Sequence, residues 1–405
     1  MIHKAFLHKA SFCLKTSFIV LMMFFSQLIQ AQKTSPVQIF TTIDPEPFLD
    51  NANHWYSVFD KKNMINAMPG KPRYKPTEIT SIADNMLLFQ KNNGGWPKNY
   101  DFFAILTASQ KDSVNASKDV LNTTYDNGNT YTQIAALSIA YTITKVEKYK
   151  VAVLKGLVYI LESQYKNGGW PQYYPLESNY SRYITYNDGV FKGIMELLKD
   201  INDGEPQYAF IDNNYRKKLA GAFDKGISCI IKTQINDVGI PTAWCQQYDE
   251  VSLKPAWARK FEPSSICNKE SADLVAFLMR IDHPKKEIIN AVQNAVAWFQ
   301  KSKIYNTRVK TIPAPPMVTP FRVSVSDKVV VTDTTAPPIW TRYYELKTHR
   351  PIFCNRDSKI VYSLAEVTRE RRDGYAWYIY TPQQVLDKYS KWKKKWAVDN
   401  DVLKL

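Results

Sequence analysis

The sequence is poor in the residues and motifs on which many catalytic sites are built. It has five histidines in 405 residues, and only three follow the apolar N-terminal segment: His54, His283 and His349. A cage of imidazoles around zinc, or a Ser-His-Asp triad, therefore has few histidines to use. Glycine-rich nucleotide loops, zincin motifs and nucleophile elbows are also missing. An enzyme built on this sequence would have to use Asp, Arg, Lys, Tyr and a bound cation.

Cysteine is equally scarce. Beyond Cys13, which lies in the N-terminal segment, the chain has four cysteines: Cys229, Cys245, Cys267 and Cys354. Their spacing fits no zinc signature, and four cysteines allow three pairings between which the sequence does not choose. We expect at most one disulfide, and buried free thiols are an equal alternative.

The N-terminal apolar run, Phe18–Phe25, is too short to span a bilayer comfortably. Three lysines precede it and the small residue Ala31 follows it, which is the pattern of a secretory signal peptide. We therefore predict a signal peptide over residues 1–31, with a retained anchor helix as the alternative. The mature protein is expected to be secreted or periplasmic and free of the membrane.

Charge and aromatic content both favour an acidic carbohydrate as the ligand. The formal net charge is +15, and it falls to +12 without residues 1–31, which contain three Lys and no acidic residue. Outside the cytoplasm, a basic protein attracts acidic polysaccharides more often than nucleic acid. The basic run at residues 391–395 is typical of a solvated helix face, so we expect no nucleic-acid partner. The 10 Trp and 25 Tyr suit stacking on sugar rings, and an aromatic helical core explains them equally well.

The phrase Asn-Gly-Gly-Trp-Pro occurs twice, at Asn93–Pro97 and at Asn167–Pro171. Each copy ends a segment in which apolar residues recur at helical spacing. A weaker third copy surrounds Pro241, and the three prolines are 74 and 70 residues apart. Repetition at this period predicts successive α/α hairpins over residues 77–300, arranged as a toroid or partial barrel. We expect the tryptophans of the phrase to pack in the core.

The last hundred residues have a different character. Between residues 304 and 344, Pro-rich segments alternate with short Val-rich runs that are typical of strands. Helical patterns return after residue 362. Because no flexible linker separates this region, we predict one domain over residues 32–405. The expected fold class is mainly α, with a small β-containing side region over residues 304–405.

Each Gly-Gly-Trp-Pro copy is followed by an acidic phrase. Thr-Tyr-Asp-Asn-Gly contains Asp126 and Asn127, and Thr-Tyr-Asn-Asp-Gly contains Asp188. Two such loops on one rim could supply oxygen ligands to a single Ca²⁺ ion. Taken singly, such a loop is more often a turn or a helix N-cap, but its recurrence in both copies favours the cation site. In the third copy, Glu270 stands 29 residues beyond the proline, as Asp126 does in the first.

The loop after the third copy also carries groups that suit an acidic sugar. Asp249 is followed by Trp257 and Arg259. The indole and the guanidinium together could form a sugar platform beside a positive charge. A surface loop with a structural ion pair is the alternative.

Arginines are concentrated further along the chain, at Arg342, Arg350 and Arg356. The planar fork of a guanidinium suits a carboxylate, so this segment could hold several uronates. Pairing of individual arginines with Glu345 or Asp357 is the alternative.

Several motifs occur in one order along residues 79–380. They are the two Asn-Gly-Gly-Trp-Pro phrases with Thr-Tyr-Asp-Asn-Gly, Ala-Trp-Cys-Gln-Gln-Tyr-Asp, Ala-Arg-Lys-Phe-Glu, and Arg-Tyr-Tyr-Glu with His-Arg-Pro-Ile-Phe. In combination they resemble the pectate lyases of polysaccharide lyase family 10. The resemblance implies an (α/α)₃ partial toroid, a Ca²⁺ cofactor and cleavage of polygalacturonate by anti β-elimination to 4,5-unsaturated products.

The resemblance also implies roles for individual residues. Asp126 and Asp188 match the acidic residues at the cation and the reaction centre, and Arg259 matches the catalytic base. Substrate contacts are expected from Asn127, Asp249, Trp257, Arg342, Arg350 and Arg356. Because a guanidinium normally stays protonated, Lys254 and Lys260 remain alternatives for the base. We expect the protein to be a monomer.

Two other functions remain open. The Gln-x-x-x-Gly-x-Trp spacing also resembles the repeats of triterpene cyclases, which are α/α toroids, but the chain has no Asp-x-Asp-Asp run. A protein that binds acidic polysaccharides and has lost catalysis would keep the same fold. The presence of both acidic loops and of Arg259 favours the lyase.

Overall fold

Helices dominate the structure, a computed structural model that describes residues 40–57, 70, 72–398 and 402–403. The predicted signal peptide, residues 1–31, lies outside the described residues. The described α-helices are α1 (Leu49–Tyr56), α2 (Ile79–Phe89), α3 (Ala108–Asn115), α4 (Tyr131–Thr144), α5 (Glu147–Ser163), α6 (Val190–Asp203), α7 (Asn213–Thr233), α8 (Asn268–Leu278), α9 (Lys286–Lys301), α10 (Arg369–Asp373) and α11 (Thr381–Trp396). The described strands are β1 (Ile184–Thr185), β2 (Asn236–Asp237), β3 (Ile240–Pro241), β4 (Gln247–Tyr248), β5 (Ile266–Cys267), β6 (Thr307–Val318), β7 (Val323–Thr332), β8 (Trp340–Thr341), β9 (Tyr343–Tyr344), β10 (Pro351–Cys354), β11 (Ile360–Val361) and β12 (Tyr378–Ile379).

Short loops join the helices into neighbouring pairs. Residues 145–146 connect α4 to α5. The connections that pair α6 with α7 and α8 with α9 are longer than this, but shorter than the loops between pairs. The longer loops, which carry Gly-Gly-Trp-Pro and the acidic phrase, join one pair to the next. The sequence analysis placed each long loop inside a hairpin instead. The short loops define the tighter pairs because a brief connection holds its two helices side by side.

The helices form two layers. Helices α2, α5, α7 and α9 are neighbours in the first layer, and α4, α6 and α8 are neighbours in the second. Helix α11 packs across α8 and α9. This succession of paired helices confirms the predicted mainly α partial toroid.

A glutamine at the end of each of three first-layer helices ties that helix to the next one. Each side-chain amide donates one hydrogen bond to a carbonyl of its own following turn. It donates a second one, at 2.9 Å, to a carbonyl of the next helix in the layer. The bonds to the next helix join Gln90 to Ala152, Gln164 to Ala222 and Gln234 to Ala291. These bonds set how far each helix is displaced along its neighbour.

The tryptophans of the repeated phrase are buried beside these glutamines. The indole nitrogens of Trp96, Trp170 and Trp244 donate to carbonyls of the preceding helix at 2.7, 2.9 and 2.8 Å. Trp340 makes the same kind of bond, at 2.8 Å, to the carbonyl of Phe299 in α9. The expected packing role is confirmed, and Trp340 marks a fourth copy that the sequence analysis did not find.

The β-containing side region follows the helices. Strands β5, β9, β10 and β11 form one sheet in the order β11-β10-β9-β5. Strands β6 and β7 form a long antiparallel hairpin with an irregularity between Pro313 and Met317. A second apolar cluster, which includes Phe261, Tyr343 and Trp377, packs the loop after the third copy against this region.

All four cysteines beyond the N-terminal segment are buried free thiols. Within the described ranges the chain therefore has no disulfide, and the free-thiol alternative holds. From Thr41 onward the chain belongs to one compact unit. Among the described residues, every helix is either too short or too polar to cross a bilayer.

The repeated phrase needs glycine because the backbone approaches a neighbouring helix closely. Gly94 and Gly168 have φ of 92° and 96°. A Cβ added at Gly168 would lie 2.0 Å from the carbonyl oxygen of Lys225, and one added at Gly94 would lie 2.4 Å from that of Lys155. Gly204 has a similar φ of 81° but no heavy atom within 4 Å of an added Cβ.

We therefore predict that Gly168→Ala lowers the free energy of unfolding by about 2–4 kcal/mol, because it combines a strained φ with a backbone clash. Gly204→Ala, the matched control, has the unfavourable backbone conformation without the clash. It should lower the free energy of unfolding by about 1 kcal/mol. Equilibrium denaturation with urea measures both values. Equal losses in the two variants would contradict the close approach of residue 168 to α7.

Candidate active site

The two acidic phrases fold into the same tight turn. Asp126–Gly128 and Asn187–Gly189 each form one 3₁₀ turn ahead of a second-layer helix, and the two turns lie in contact. The middle residue of each is left-handed, with φ of 54° at Asn127 and 50° at Asp188, which Asn and Asp tolerate. Because the order is Asp-Asn in one turn and Asn-Asp in the other, the two carboxylates start from different positions of the turn.

Asp126 is buried and has two side-chain partners. Its Oδ1 accepts a hydrogen bond from Gln172 Nε2 at 2.8 Å, and its Oδ2 accepts one from the Lys98 ammonium. Lys98 and Gln172 are equivalent, since each stands two residues after the tryptophan of its copy. Burial alone would raise the pKa of Asp126, but the charge and hydrogen bond of Lys98 lower it below its ordinary value. The Asp126 carboxylate is therefore ionised at neutral pH.

The surroundings of Asp188 stabilise its ionised form less than those of Asp126 do. Its Oδ2 accepts a hydrogen bond from Asn187 Nδ2 at 2.8 Å. Burial and the negative charge of Asp126 raise the pKa of Asp188 to about 7, although Arg259 and Arg342 act in the opposite direction. We call the carboxylates of Asp126 and Asp188 the acidic pair. The acidic pair therefore takes up a proton near neutral pH unless a bound cation neutralises its charge.

The acidic residue of the third copy is already neutralised by the protein. The buried Glu270 accepts a hydrogen bond from Arg342 Nη2 at 2.6 Å, and the same nitrogen donates to Asn187 Oδ1 at 3.1 Å. Arg342 stands two residues after Trp340, which makes it the fourth-copy equivalent of Lys98. Glu270 therefore links the loops through Arg342 and does not join the acidic pair.

The oxygen atoms at the acidic pair fit a hard divalent cation. They belong to the carboxylates of Asp126 and Asp188 and to Gln172, whose Oε1 is buried without a hydrogen-bond partner among the described residues. Carboxylate and amide oxygens are the ligands that such cations prefer. In the described part of the chain, no three His, Cys, Asp or Glu side chains are grouped to hold a metal. Water or ligand oxygens would have to complete the coordination.

Arg259 lies on the loop after the third copy, and its charge acts on both Asp126 and Asp188. Its Nε and Nη2 donate to the two oxygens of Glu262 at 2.7 and 2.5 Å. The buried Glu262 also accepts a hydrogen bond from the Tyr375 hydroxyl at 3.2 Å. Burial opposes the charge of Arg259, but its bonds to Glu262 raise the pKa of the guanidinium overall. Arg259 is thus held in a fixed plane and protonated.

Three other sequence-predicted residues have hydrogen-bond partners outside the acidic pair. The Trp257 indole donates to the Arg259 carbonyl at 3.1 Å. The Asp249 carboxylate closes its own loop by accepting bonds from the amide and hydroxyl of Ser252 at 2.7 and 2.8 Å. The carbonyl of Asn127 accepts a bond from Asn51 Nδ2 at 2.7 Å.

The two remaining arginines have partners outside the acidic pair. Arg356 Nε and Nη2 donate to Glu370 at 2.9 and 3.0 Å, rather than to Asp357. The Arg350 guanidinium lies 3.8 Å from the centre of the Tyr362 ring. Neither fork faces the acidic pair in these contacts.

Of the sequence-predicted residues, the structure brings together Asp126, Asp188, Arg259 and Arg342. It adds four residues that the sequence analysis missed: Lys98, Gln172, Glu262 and Tyr375. Lys98 and Gln172 could have been found, because each directly follows the proline of a repeated phrase. Glu262 could also have been found, because it ends the Ala-Arg-Lys-Phe-Glu motif three residues after Arg259. Tyr375 carries no such local signal.

Comparison with known proteins places this arrangement in context. The family model described as Pec_lyase, pectic acid lyase, matches residues 90–386. The solved family 10 polysaccharide lyase from Cellvibrio cellulosa aligns with a TM-score of 0.64 and 27% identity, over 87% of this chain and 98% of that one. A mutant of a family 10 polysaccharide lyase from the same organism, in complex with trigalaturonic acid, aligns with a TM-score of 0.64 and 29% identity, over 77% and 92%. No curated protein matches the sequence.

The raised pKa of Asp188 predicts a pH-dependent loss of stability in the metal-free protein. Below about pH 4, Asp188 is protonated in both the folded and the unfolded state. As the pH rises, it loses its proton near pH 4 in the unfolded state but only near pH 7 in the folded state. Stability therefore falls as the pH rises from about 4 to about 7. With chelator near pH 8, Asp188→Asn should be more stable than wild type by about 1–2 kcal/mol, a value reduced by partial solvent exposure.

Thermal denaturation at several pH values checks this prediction. The difference between Asp188→Asn and wild type should vanish near pH 4 and grow toward pH 8. A difference that is the same at every pH would show that Asp126 and Asp188 do not interact as described.

Proposed function

This chain belongs to the pectic acid lyase family, and on that basis we propose that it is a pectate lyase that cleaves polygalacturonate by Ca²⁺-assisted anti β-elimination. The products would be 4,5-unsaturated oligogalacturonides. The observation that carries the proposal is the meeting of two acidic turns beside Arg259, within the matched residues 90–386. A similar lyase in complex with trigalaturonic acid supports polygalacturonate as the substrate.

The reaction needs positive charge beside the uronate. Removal of the C5 proton places enolate-like negative charge on the C6 carboxylate, and that charge has to be stabilised while the C4–O4 bond breaks. A Ca²⁺ ion held by Asp126, Asp188 and Gln172 would supply the positive charge. In this proposal Lys98 keeps Asp126 ionised and Arg342 fixes the second turn through Asn187, so both carboxylates are in place to bind.

We propose Arg259 as the residue that faces the C5 proton. Glu262 orients its guanidinium but also favours the protonated form, so Arg259 has to release a proton before it can accept one. The like charges of Arg259 and Arg371 repel each other, and this repulsion contributes to the lowered pKa of Arg371. Lys254 and Lys260 are exposed on the same loop and remain the alternatives.

The proposal also covers the setting in which the protein works. We propose that residues 1–31 are removed on export and that the mature protein is secreted or periplasmic. Its excess of positive charge suits a polyanionic substrate. We propose a monomer that binds neither nucleic acid nor membrane.

The lyase activity is tested by the ultraviolet absorbance of the unsaturated product formed from polygalacturonate. We expect absorbance to rise with Ca²⁺, to stop on addition of a chelator and to resume when Ca²⁺ is restored. Asp126→Ala and Asp188→Ala should each abolish the rise, because each removes half of the acidic pair. Asp282→Ala, which removes an exposed carboxylate paired with Lys395, is the control and should retain the wild-type rate.

Folded wild-type protein that binds polygalacturonate without any Ca²⁺-dependent rise would overturn the lyase proposal. Such a result would favour the binding protein without catalysis.

The identity of the base is tested by substitutions on one loop. Arg259→Ala should lower kcat by about 10²–10⁴-fold, the range lost with a general acid or base. Lys254→Ala and Lys260→Ala remove exposed cations nearby and should leave kcat within about twofold of wild type on this assignment. A nearly normal rate in Arg259→Ala, with a large loss in one lysine variant, would move the base to that lysine.

A further inference from the structure

The basic run at residues 391–395 contributes to a groove that the proposed reaction does not use. The groove lies between α6, α8 and α11 and has a volume of about 460 Å³. It extends from Lys192, near the start of α6, to Lys395 and Trp396 in the last turn of α11. Its lining residues differ from those that form the acidic pair and the contacts of Arg259. We call it the α11 groove.

The α11 groove is displaced from the acidic pair along α8. Lys269, in the first turn of α8, interacts electrostatically with Asp188. The first residue of α8 in the groove is Ala276, which stands seven residues after Lys269 and is therefore about 10 Å further along the helix axis. A ligand in this part of the groove is held away from the reacting unit.

Positive charge dominates the α11 groove. Five cations and two carboxylates line it, so the lining has a net charge of +3. The cations are Lys192, Arg280, Lys388, Lys391 and Lys395. The carboxylates belong to Glu196 and Asp282. A concave surface lined mainly by one sign of charge attracts ligands of the opposite sign.

Both carboxylates of the groove already have partners. Glu196 accepts a hydrogen bond from Arg280 Nη1 at 2.8 Å and lies 3.6 Å from Lys192 Nζ. Asp282 accepts a hydrogen bond from Lys395 Nζ at 3.0 Å.

Two cations of the groove are left over. Lys388 and Lys391 are exposed, and neither has an ion-pair partner among the described residues. Together with Lys395 they stand three and four residues apart, which places them on one face of α11. The row covers about 10 Å along the helix axis. Such a row suits a polymer with a carboxylate on every unit better than it suits one small anion.

The groove also offers an aromatic surface. Trp396 is half-buried, and the Lys395 ammonium lies 4.4 Å from the centre of its ring. The ring centre of His283 is 4.9 Å away in an edge-on arrangement, which holds the indole in place. An indole beside ammonium groups suits a ligand that has both an apolar ring face and a negative charge. An acidic sugar has both.

We propose that the α11 groove binds polygalacturonate away from the point of cleavage and holds the polymer on the protein. This inference rests on the proposed function, which supplies polygalacturonate as the ligand. Carboxylates along the polymer pair with Lys388 and Lys391, and a sugar ring lies against Trp396. A polymer bound at both places stays at high local concentration beside the acidic pair. A short oligomer that fills only one place gains nothing from the groove.

The kinetic test compares two double variants with the same loss of charge. Lys388→Gln/Lys391→Gln removes the two unpaired cations of the groove, and Lys217→Gln/Lys218→Gln removes two exposed lysines of α7, outside the groove. We expect the groove variant to raise KM on polygalacturonate about five- to tenfold, as for the loss of two exposed ion pairs. Its kcat on polygalacturonate and its kinetics on trigalacturonate should be unchanged. The α7 variant should match wild type on both substrates.

A binding test separates the groove from catalysis. Electrophoresis with chelator through a gel that contains polygalacturonate should retard Asp126→Ala, because the groove is intact. Addition of Lys388→Gln/Lys391→Gln to Asp126→Ala should remove most of this retardation, and a gel that contains neutral galactan should retard neither protein. High salt should abolish the retardation, since it screens exposed charges.

Several results would overturn the inference while leaving the lyase intact. They are a folded groove variant with wild-type KM and retardation, equal losses in the α7 variant, and an equal rise of KM on trigalacturonate. Wild-type protein that is retarded by polygalacturonate but never cleaves it would instead overturn the proposed function.

Discussion

The fold depends on the hydrogen bonds from the helix-end glutamines to the next helix of the first layer. A helix displaced by one turn would lose these bonds and leave buried amide and carbonyl groups unpaired, which is costly. The bonds therefore fix where the chain leaves each helix and where the following tryptophan is buried. In these three copies they also fix the position two residues after the tryptophan, occupied by Lys98, Gln172 and Gln246, and Arg342 is the equivalent residue of the fourth copy.

Three of these positions, Gln172, Gln246 and Arg342, hold the loops of the preceding copies through the main chain. The carbonyl of the residue in one copy accepts a hydrogen bond from an amide in the loop of the copy before it. The pairs are Gln172 with Tyr125, Gln246 with Tyr186 and Arg342 with Asn268, at 3.0, 2.9 and 2.8 Å. Because the bond uses only backbone atoms, the side chain can change from amide to guanidinium without moving the loop. A constant backbone thus presents different chemistry in each copy.

The sequence predicts the helices and the acidic pair because both rest on short patterns that recur. It does not predict the pairing of Glu262 with Tyr375, whose residues are 113 positions apart and meet only through tertiary packing. Strand β6 lies in a Pro-rich segment for which the sequence predicts no strand. It tolerates three prolines because they lie at an irregularity in a two-stranded hairpin.

The anchoring of each loop by the next copy has a consequence for newly made protein. The second acidic turn takes a partner, Arg342, from near the end of the chain, 155 residues further on. A chain that is still being synthesised lacks this partner until residue 342 has been made. Asn187 is then without the hydrogen bond from Arg342, so the second acidic turn takes its final geometry only after the C-terminal region has docked.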